Sequence, residues 1–193
     1  YVFTMTVRTM QLLLKSVDFA ARAHRDQRRK GPAREPYINH PIEVSRLIVE
    51  CEPATAEDVL CAAILHDVIE DCGATHGEIL ACFNENIANI VLEVSDDKAL
   101  PRDERKAMQI QMAPKLSNDA KLVRLADKIA NVGAMLTDTP IGWDRSQILQ
   151  YADWAENVVA PCRSVSQGLS DRFDAIIRDV RAWHAGEAER TGS

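Results

Sequence analysis

A chain of 193 residues that is 46% hydrophobic and only 5% aromatic can bury a sizeable core, and its recurrent Ala, Leu and Ile favour helices over packed sheets. A formal net charge of -6 argues against a general nucleic-acid-binding surface, and no window reaches a membrane-spanning run of apolar residues. The five cysteines are odd in number and form no CxxC pair, which speaks against a disulfide framework or a zinc knot; with no secretory pattern at the start, a cytoplasmic location is expected.

A first helix is predicted over about Thr9–Gln27, where Leu12, Leu13, Val17, Ala20 and Ala21 recur at helical intervals. Arg28 to Pro36 reads as a basic loop, because Gly31, Pro32 and Pro36 interrupt any helix. Pro41 suits a first helical turn, so His40 should stand at the mouth of a second helix running to about Cys51. Thr55 with Asp58 reads as a capping box opening the helix that carries His66, and Thr75 with Glu78 as another directly after it. Further helices are expected at about 84–95, 102–112, 118–137, 145–162 and 165–185. The pattern is all-α, a single domain over 1–193 with no repeat or linker: a motif-bearing core over about 9–162, a C-terminal helix over about 165–185, and a polar tail over 186–193. The small residues from Ala185 onward should fray.

Chemistry concentrates in the stretch His66 to Asp71. On a continuous helix advancing about 100° per residue, His66, Asp67, Glu70 and Asp71 share one face, opposite an apolar arc of Cys61, Ala62, Leu65, Val68 and Ile69. Ala63 falls in the polar arc, where its small side chain would leave room for an ion or a substrate. An isolated His-Asp pair is usually a structural couple. Three carboxylates on two turns repel one another and are costly to desolvate, so a bound cation is the natural compensation. Cys72, directly after the acids, reads either as a reactive thiol or as a plain small residue at a helix end.

Asp127 stands in the strongly apolar run Leu122–Ala130, four residues before Asn131 and on the same face. It either pairs with Arg124 or a neighbouring lysine, or completes with His40, His66 and Asp67 a nitrogen and oxygen set for a divalent ion such as manganese, iron or zinc. The cluster Arg22, Arg25, Arg28, Arg29, Lys30 and Arg34 is either a solvated face or, beside such a site, an anion-binding loop whose arginines can also lie flat on a base. His24 is expected to make a structural hydrogen bond supporting this loop, and His184 to belong to the fraying end.

The ordered series Phe19–His24, Gln27–Gly31, Pro36–Pro41, Leu65–Asp71, Asp96–Lys98 and Lys121–Lys128, with Gly142, Trp143 and Tyr151 to Trp154, resembles the HD-domain hydrolases of the Rel-Spo alarmone family. The likeness is strongest to the stand-alone small alarmone hydrolases of the metazoan Spo type and runs over about Val17–Val159. It implies an HD-superfamily helical bundle with a metal site between helices. It also implies removal of pyrophosphate, dependent on Mn2+, from the ribose 3′ position of guanosine tetra- or pentaphosphate. On matching positions the metal ligands would be His40, His66, Asp67 and Asp127, with Glu70 and Asp71 as catalytic acids or bases. Arg29 and Lys30 would hold the guanine nucleotide, Tyr37, Asn131 and Tyr151 would make further substrate contacts, and Arg102 would meet phosphate. Gln147 stands where some relatives carry a basic residue. Rival readings are a related phosphohydrolase acting on another ribose-phosphate nucleotide such as NADPH, and a nucleotide-sensing module without turnover. A homo-oligomer is allowed; nucleic acid and membrane are not expected partners.

Overall fold

The computed structural model describes residues 6–190, with side chains through His184. Among the described residues ten helices follow one another: α1 (Val7–Ala23), α2 (Asn39–Cys51), α3 (Glu57–Leu65), α4 (Val68–Cys72), α5 (His76–Cys82), α6 (Glu85–Glu93), α7 (Arg102–Met112), α8 (Asn118–Thr137), α9 (Arg145–Val159) and α10 (Gln167–Arg190). Single 3-10 turns at Ala113–Lys115 and Ala160–Val165 follow α7 and α9. Among the described residues the only β-type pairing is an isolated bridge between Arg28 and Pro36.

Two helices carry the interior. Helix α3 is apolar on nearly every side, and α1, α2, α6 and α8 pack around it. Helix α8 packs against α2, α9 and α10, and Phe173 of α10 is fully buried in the shared core. From Val123 to Ala130 every residue of α8 is buried, which forces Arg124, Asp127 and Lys128 to find partners inside the protein. The charged groups of the site are thus built into the core, not laid on it.

The expected helices at 102–112 and 118–137 form as predicted, and the Thr75–Glu78 capping box closes in both directions. Other boundaries move for local reasons. Helix α1 stops at Ala23, before a turn at 24–26. Helix α9 stops at Val159, where Pro161, lacking an amide hydrogen, tightens the chain into a 3-10 turn. Thr55 and Asp58 form no capping box: α3 begins after Ala56, and the Asp58 carboxylate instead accepts from the side chains of Asn84 (2.9 Å) and Asn86 (3.1 Å) at the head of α6. Helix α10 runs on to Arg190, past the expected end at about 185, and His184 is buried within it; residues 191–193 lie outside the described residues.

The largest correction falls on the His66 segment. It is not one helix: regular structure breaks at His66 and Asp67, and α4 starts anew at Val68. The His66 Nδ1–H bonds the Ala63 carbonyl (2.8 Å), satisfying an acceptor of the last turn of α3 where the helix stops. Ala63 itself is fully buried in the core, so it contributes this carbonyl and not the open space expected of it.

The basic loop is pinned at three places. Arg29 N–H bonds the Glu35 carbonyl (2.9 Å), Ile141 N–H bonds the Lys30 carbonyl (3.0 Å), and Ala33 N–H bonds the Asp138 carboxylate (3.0 Å). Gly31 lies directly on that carboxylate, and a Cβ there would stand 2.0 Å from Asp138 Cγ. Gly31→Ala should therefore push Asp138 off the loop and cost about 1–3 kcal/mol of stability, while adding Asp138→Ala should cost less than the sum of the two single changes. Thermal unfolding of the three variants checks this, and a Gly31→Ala protein as stable as the parent would contradict it.

Candidate active site

Three segments converge at one point beneath the cleft. Helix α2 brings His40, the α3–α4 junction brings His66 and Asp67, and α8 brings Asp127. His40 Nε2 lies 3.1 Å from Asp127 Oδ1 and 3.8 Å from Asp67 Oδ2, whereas His66 Nε2 lies 2.9 Å from Asp67 Oδ2 and 3.7 Å from Asp127 Oδ1. Because His66 Nδ1 carries the proton given to Ala63, Nε2 is the nitrogen turned toward the carboxylates. That buried nitrogen makes no well-directed hydrogen bond despite the oxygens around it. Donor atoms of His40, His66 and Asp67 lie within 4.8 Å of one another, and the set fits a divalent cation that would settle those facing lone pairs.

Without an ion the same carboxylates draw a proton onto His66, which a bound cation would have to displace. Burial disfavours a charged His66, but Asp67 and Asp127 outweigh it and push the imidazole up to about 10. Burial likewise opposes charge on both acids, yet His66 holds Asp67 below the usual carboxylate range, and Lys128 with the two histidines does so for Asp127. His40 is driven the other way, its imidazole lowered chiefly by desolvation. Asp127 pairs with a neighbouring lysine, as expected, and also faces the two histidines. Its Oδ2 accepts from Lys128 (2.9 Å), while its Oδ1 faces the imidazoles and accepts from Asn131 (2.5 Å). Arg124 is not its partner and donates instead to the Val94 carbonyl (2.9 Å).

Above this centre opens a cleft of about 340 Å³. Glu70 and Asp71 line one wall. Glu70 accepts from the Asp96 amide (3.2 Å) and Arg105 (3.3 Å), and burial, then Asp96 and Asp67, push its carboxyl up to about 7. Asp71 accepts from Gln27 (2.7 Å) and from Lys98. Facing them, the Arg29 guanidinium lies 5.8 Å from the Tyr37 ring and donates to Asn131 Oδ1, while the Tyr37 hydroxyl donates to Asp67 (2.6 Å). Tyr151 packs between Trp143 and Trp154, Arg102 covers Trp143, and Lys30 stands exposed at the rim. All the expected site residues line the cleft except His40, which sits behind it.

An HD domain family model matches residues 16–148. The chain belongs to the HD-domain family. Among HD-domain relatives, the guanosine-3′,5′-bis(diphosphate) 3′-pyrophosphohydrolase MESH1 of Xenopus tropicalis is 43% identical over 168 residues, covering 87% of this chain and 94% of that one. The human protein of the same name is 44% identical over 166 residues, covering 86% and 93%. A solved structure, described as a metazoan ortholog of SpoT that hydrolyzes ppGpp, superposes with a TM-score of 0.82 at 41% identity, covering 87% of this chain and 94% of the other. The helical architecture is therefore that of an HD-domain protein.

The HD-domain cleft also holds residues that the sequence reading passed over. Arg105, Lys106 and Gln109 line it with Arg102, all from α7. Their spacing of i, i+3, i+4 and i+7 was the available signal, since it places them on one helical face. Gln147 is not in the cleft: its side chain closes a capping box with Asp144. His24 supports the loop as expected, bonding Gln27 (2.6 Å) beneath the Tyr37 ring. Its other neighbour is Cys72 Sγ (3.1 Å), whose thiol is pushed up to about 11 by burial and then by Asp71, so the plain-residue reading of Cys72 stands.

Because the folded protein raises the Glu70 carboxyl to about 7, its contribution to stability is fullest below the ordinary carboxylate range and is lost as pH rises toward 7. Glu70→Gln removes the ionisation. In metal-free protein this variant should be more stable than the parent at pH 8, by on the order of 1–3 kcal/mol after allowance for partial exposure. The gain should shrink toward pH 5. Urea unfolding at the two pH values tests it; a gain of equal size at both would show that ionisation is not the cause.

Proposed function

We propose that this HD-domain protein hydrolyses guanosine 3′,5′-bis(diphosphate), and the pentaphosphate form, to GDP or GTP and pyrophosphate, with Mn2+ as its ion. One arrangement carries the reading: Glu70 and Asp71 line the same cleft as His66, Asp67 and Asp127, whose walls also carry Arg29, Lys30, Arg102 and Arg105. The activity named for the relatives, which match over most of this chain, supports the same substrate. Five free cysteines fit a reducing cytoplasm.

His40, His66, Asp67 and Asp127 would hold the ion, which when bound supplies Lewis acidity toward phosphate oxygens. In the reaction, water adds to the phosphorus nearest the ribose, the bond to the 3′ oxygen breaks, and pyrophosphate departs. The 3′ oxygen is strongly basic and takes up a proton. Glu70, whose carboxyl holds its proton up to about 7, is the group suited to give it. Asp71, oriented by Gln27 and Lys98, takes a proton from the attacking water. Arg29, 5.8 Å from the Tyr37 ring and held by Asn131, offers its guanidinium plane to the base, and Lys30 and Arg102 meet phosphate.

Manganese-loaded protein mixed with guanosine 3′,5′-bis(diphosphate) should release GDP and pyrophosphate in equal amounts; release of inorganic phosphate alone would assign a different phosphatase reaction. Asp67→Ala and Asp127→Ala should lose bound metal, whereas Glu70→Gln and Asp71→Asn should keep it and lose turnover by roughly a hundredfold or more. Metal content and product formation measured on the same preparations separate the two groups. Glu70→Gln and Asp71→Asn both at parental turnover would overturn the roles given to these acids.

A further inference from the structure

Lys106 is a partly buried ammonium that the arrangement above leaves without a counter-charge. Its Nζ lies 4.9 Å from the Trp154 ring and 5.7 Å from the Tyr151 ring, and the Lys128 ammonium shares the Trp154 ring at 4.7 Å. Arg102, one turn earlier on α7, covers Trp143. The other cations of this part of the cleft are matched: Lys128 by Asp127, Arg105 by Glu70 and Lys98 by Asp71. No carboxylate forms an ion pair with Lys106 or Arg102 among the described residues, and burial, then Arg102, lower the Lys106 pKa, with Asp103 opposing. Like charges held together on an aromatic floor are costly unless an anion joins them.

Position narrows the choice of anion. Trp154 Nε1–H donates to the Lys106 carbonyl (3.1 Å), fixing α7 against α9 so that the lysine stem lies along the rings. Arg105, the adjacent residue, reaches Glu70. One helical face thus serves the acids and, beside them, a corner walled by Trp143, Tyr151 and Trp154. With the 3′-diphosphate at Glu70 and Asp71 and the base at Arg29 and Asn131, this corner is the cationic wall that α7 supplies, Arg28 and Lys30 being those of the basic loop. Gln147 of α9 is a neutral amide, and its side chain is closed on Asp144.

Resting on the substrate reading above, we propose that Lys106, with Arg102 beside it, receives the 5′-diphosphate of the nucleotide and so favours substrates phosphorylated at both ends. Lys106→Met keeps the aliphatic stem on Trp154 and removes the charge. With manganese present it should raise KM for guanosine 3′,5′-bis(diphosphate) about tenfold with little change in kcat, and leave KM for guanosine 3′-diphosphate, which has a free 5′ hydroxyl, within about twofold. Lys106→Arg should stay near the parent. An equal loss for both nucleotides, or none for the first, overturns the proposal. If the parent protein turns over neither nucleotide, the substrate reading fails by itself, and calorimetry with GDP decides Lys106: binding about tenfold weaker in Lys106→Met supports the proposal. Unchanged affinity, or no binding by the parent, overturns it.

Discussion

Each of two imidazoles lies within 3.8 Å of each of two carboxylates where α2, the α3–α4 junction and α8 come together. None of the four could be buried alone, since an uncompensated charge at such depth costs several kcal/mol. Each is tolerated because the others answer it, and this mutual dependence governs much of the architecture. It explains why α8 can carry Asp127 and Lys128 through the middle of the protein, and it accompanies the departure from helical geometry at His66 and Asp67. The surrounding apolar packing of Leu65, Val68, Leu125 and Phe173 holds the segments in register.

Outside this centre the charges are arranged more loosely. Glu70 and Asp71 are joined to Arg105 and Lys98, and the lysine side chain is 48% exposed, so its bridge contributes about 0–1 kcal/mol at most. Such contacts orient the acids without immobilising them. Tyr37 couples the two regions: its hydroxyl bonds Asp67, its ring meets both His24 and His40, and Arg29 lies over it. The basic loop is thereby tied to the buried cluster through Tyr37, and a second time through the Arg29–Asn131–Asp127 chain of hydrogen bonds.

The elements easiest to read from sequence were those governed by local chemistry. Thr75 and Glu78 cap α5 because both partners of the box are adjacent in the chain, and α8 follows its apolar run from Asn118 to Thr137. Asp58 misled because its partners, Asn84 and Asn86, lie far along the chain and compete with the cap. The His66 break was likewise invisible to periodicity: it depends on a tertiary meeting with His40 and Asp127. Residue types mark the buried centre well, but beyond Arg102 the basic stripe of α7 carries little signal in the sequence, because charged residues at helical spacing usually mean a solvated face.

Helix α7 has no buried residue, although it furnishes one wall of the cleft. Its attachments are side-chain bridges, the bond from Trp154, and modest packing on α9 and the following turn. Opening free energy in a folded protein tracks buried apolar contact, so α7 sits at the shallow end of the stability range while α3 and α8 sit at the deep end. Its amide hydrogens accordingly exchange with solvent through local opening, whereas those of the core helices wait for global unfolding. Part of the free energy released when a ligand seats against this wall is spent on ordering it, so affinity is sensitive to the intrinsic helicity of a segment whose residues need not all touch the ligand.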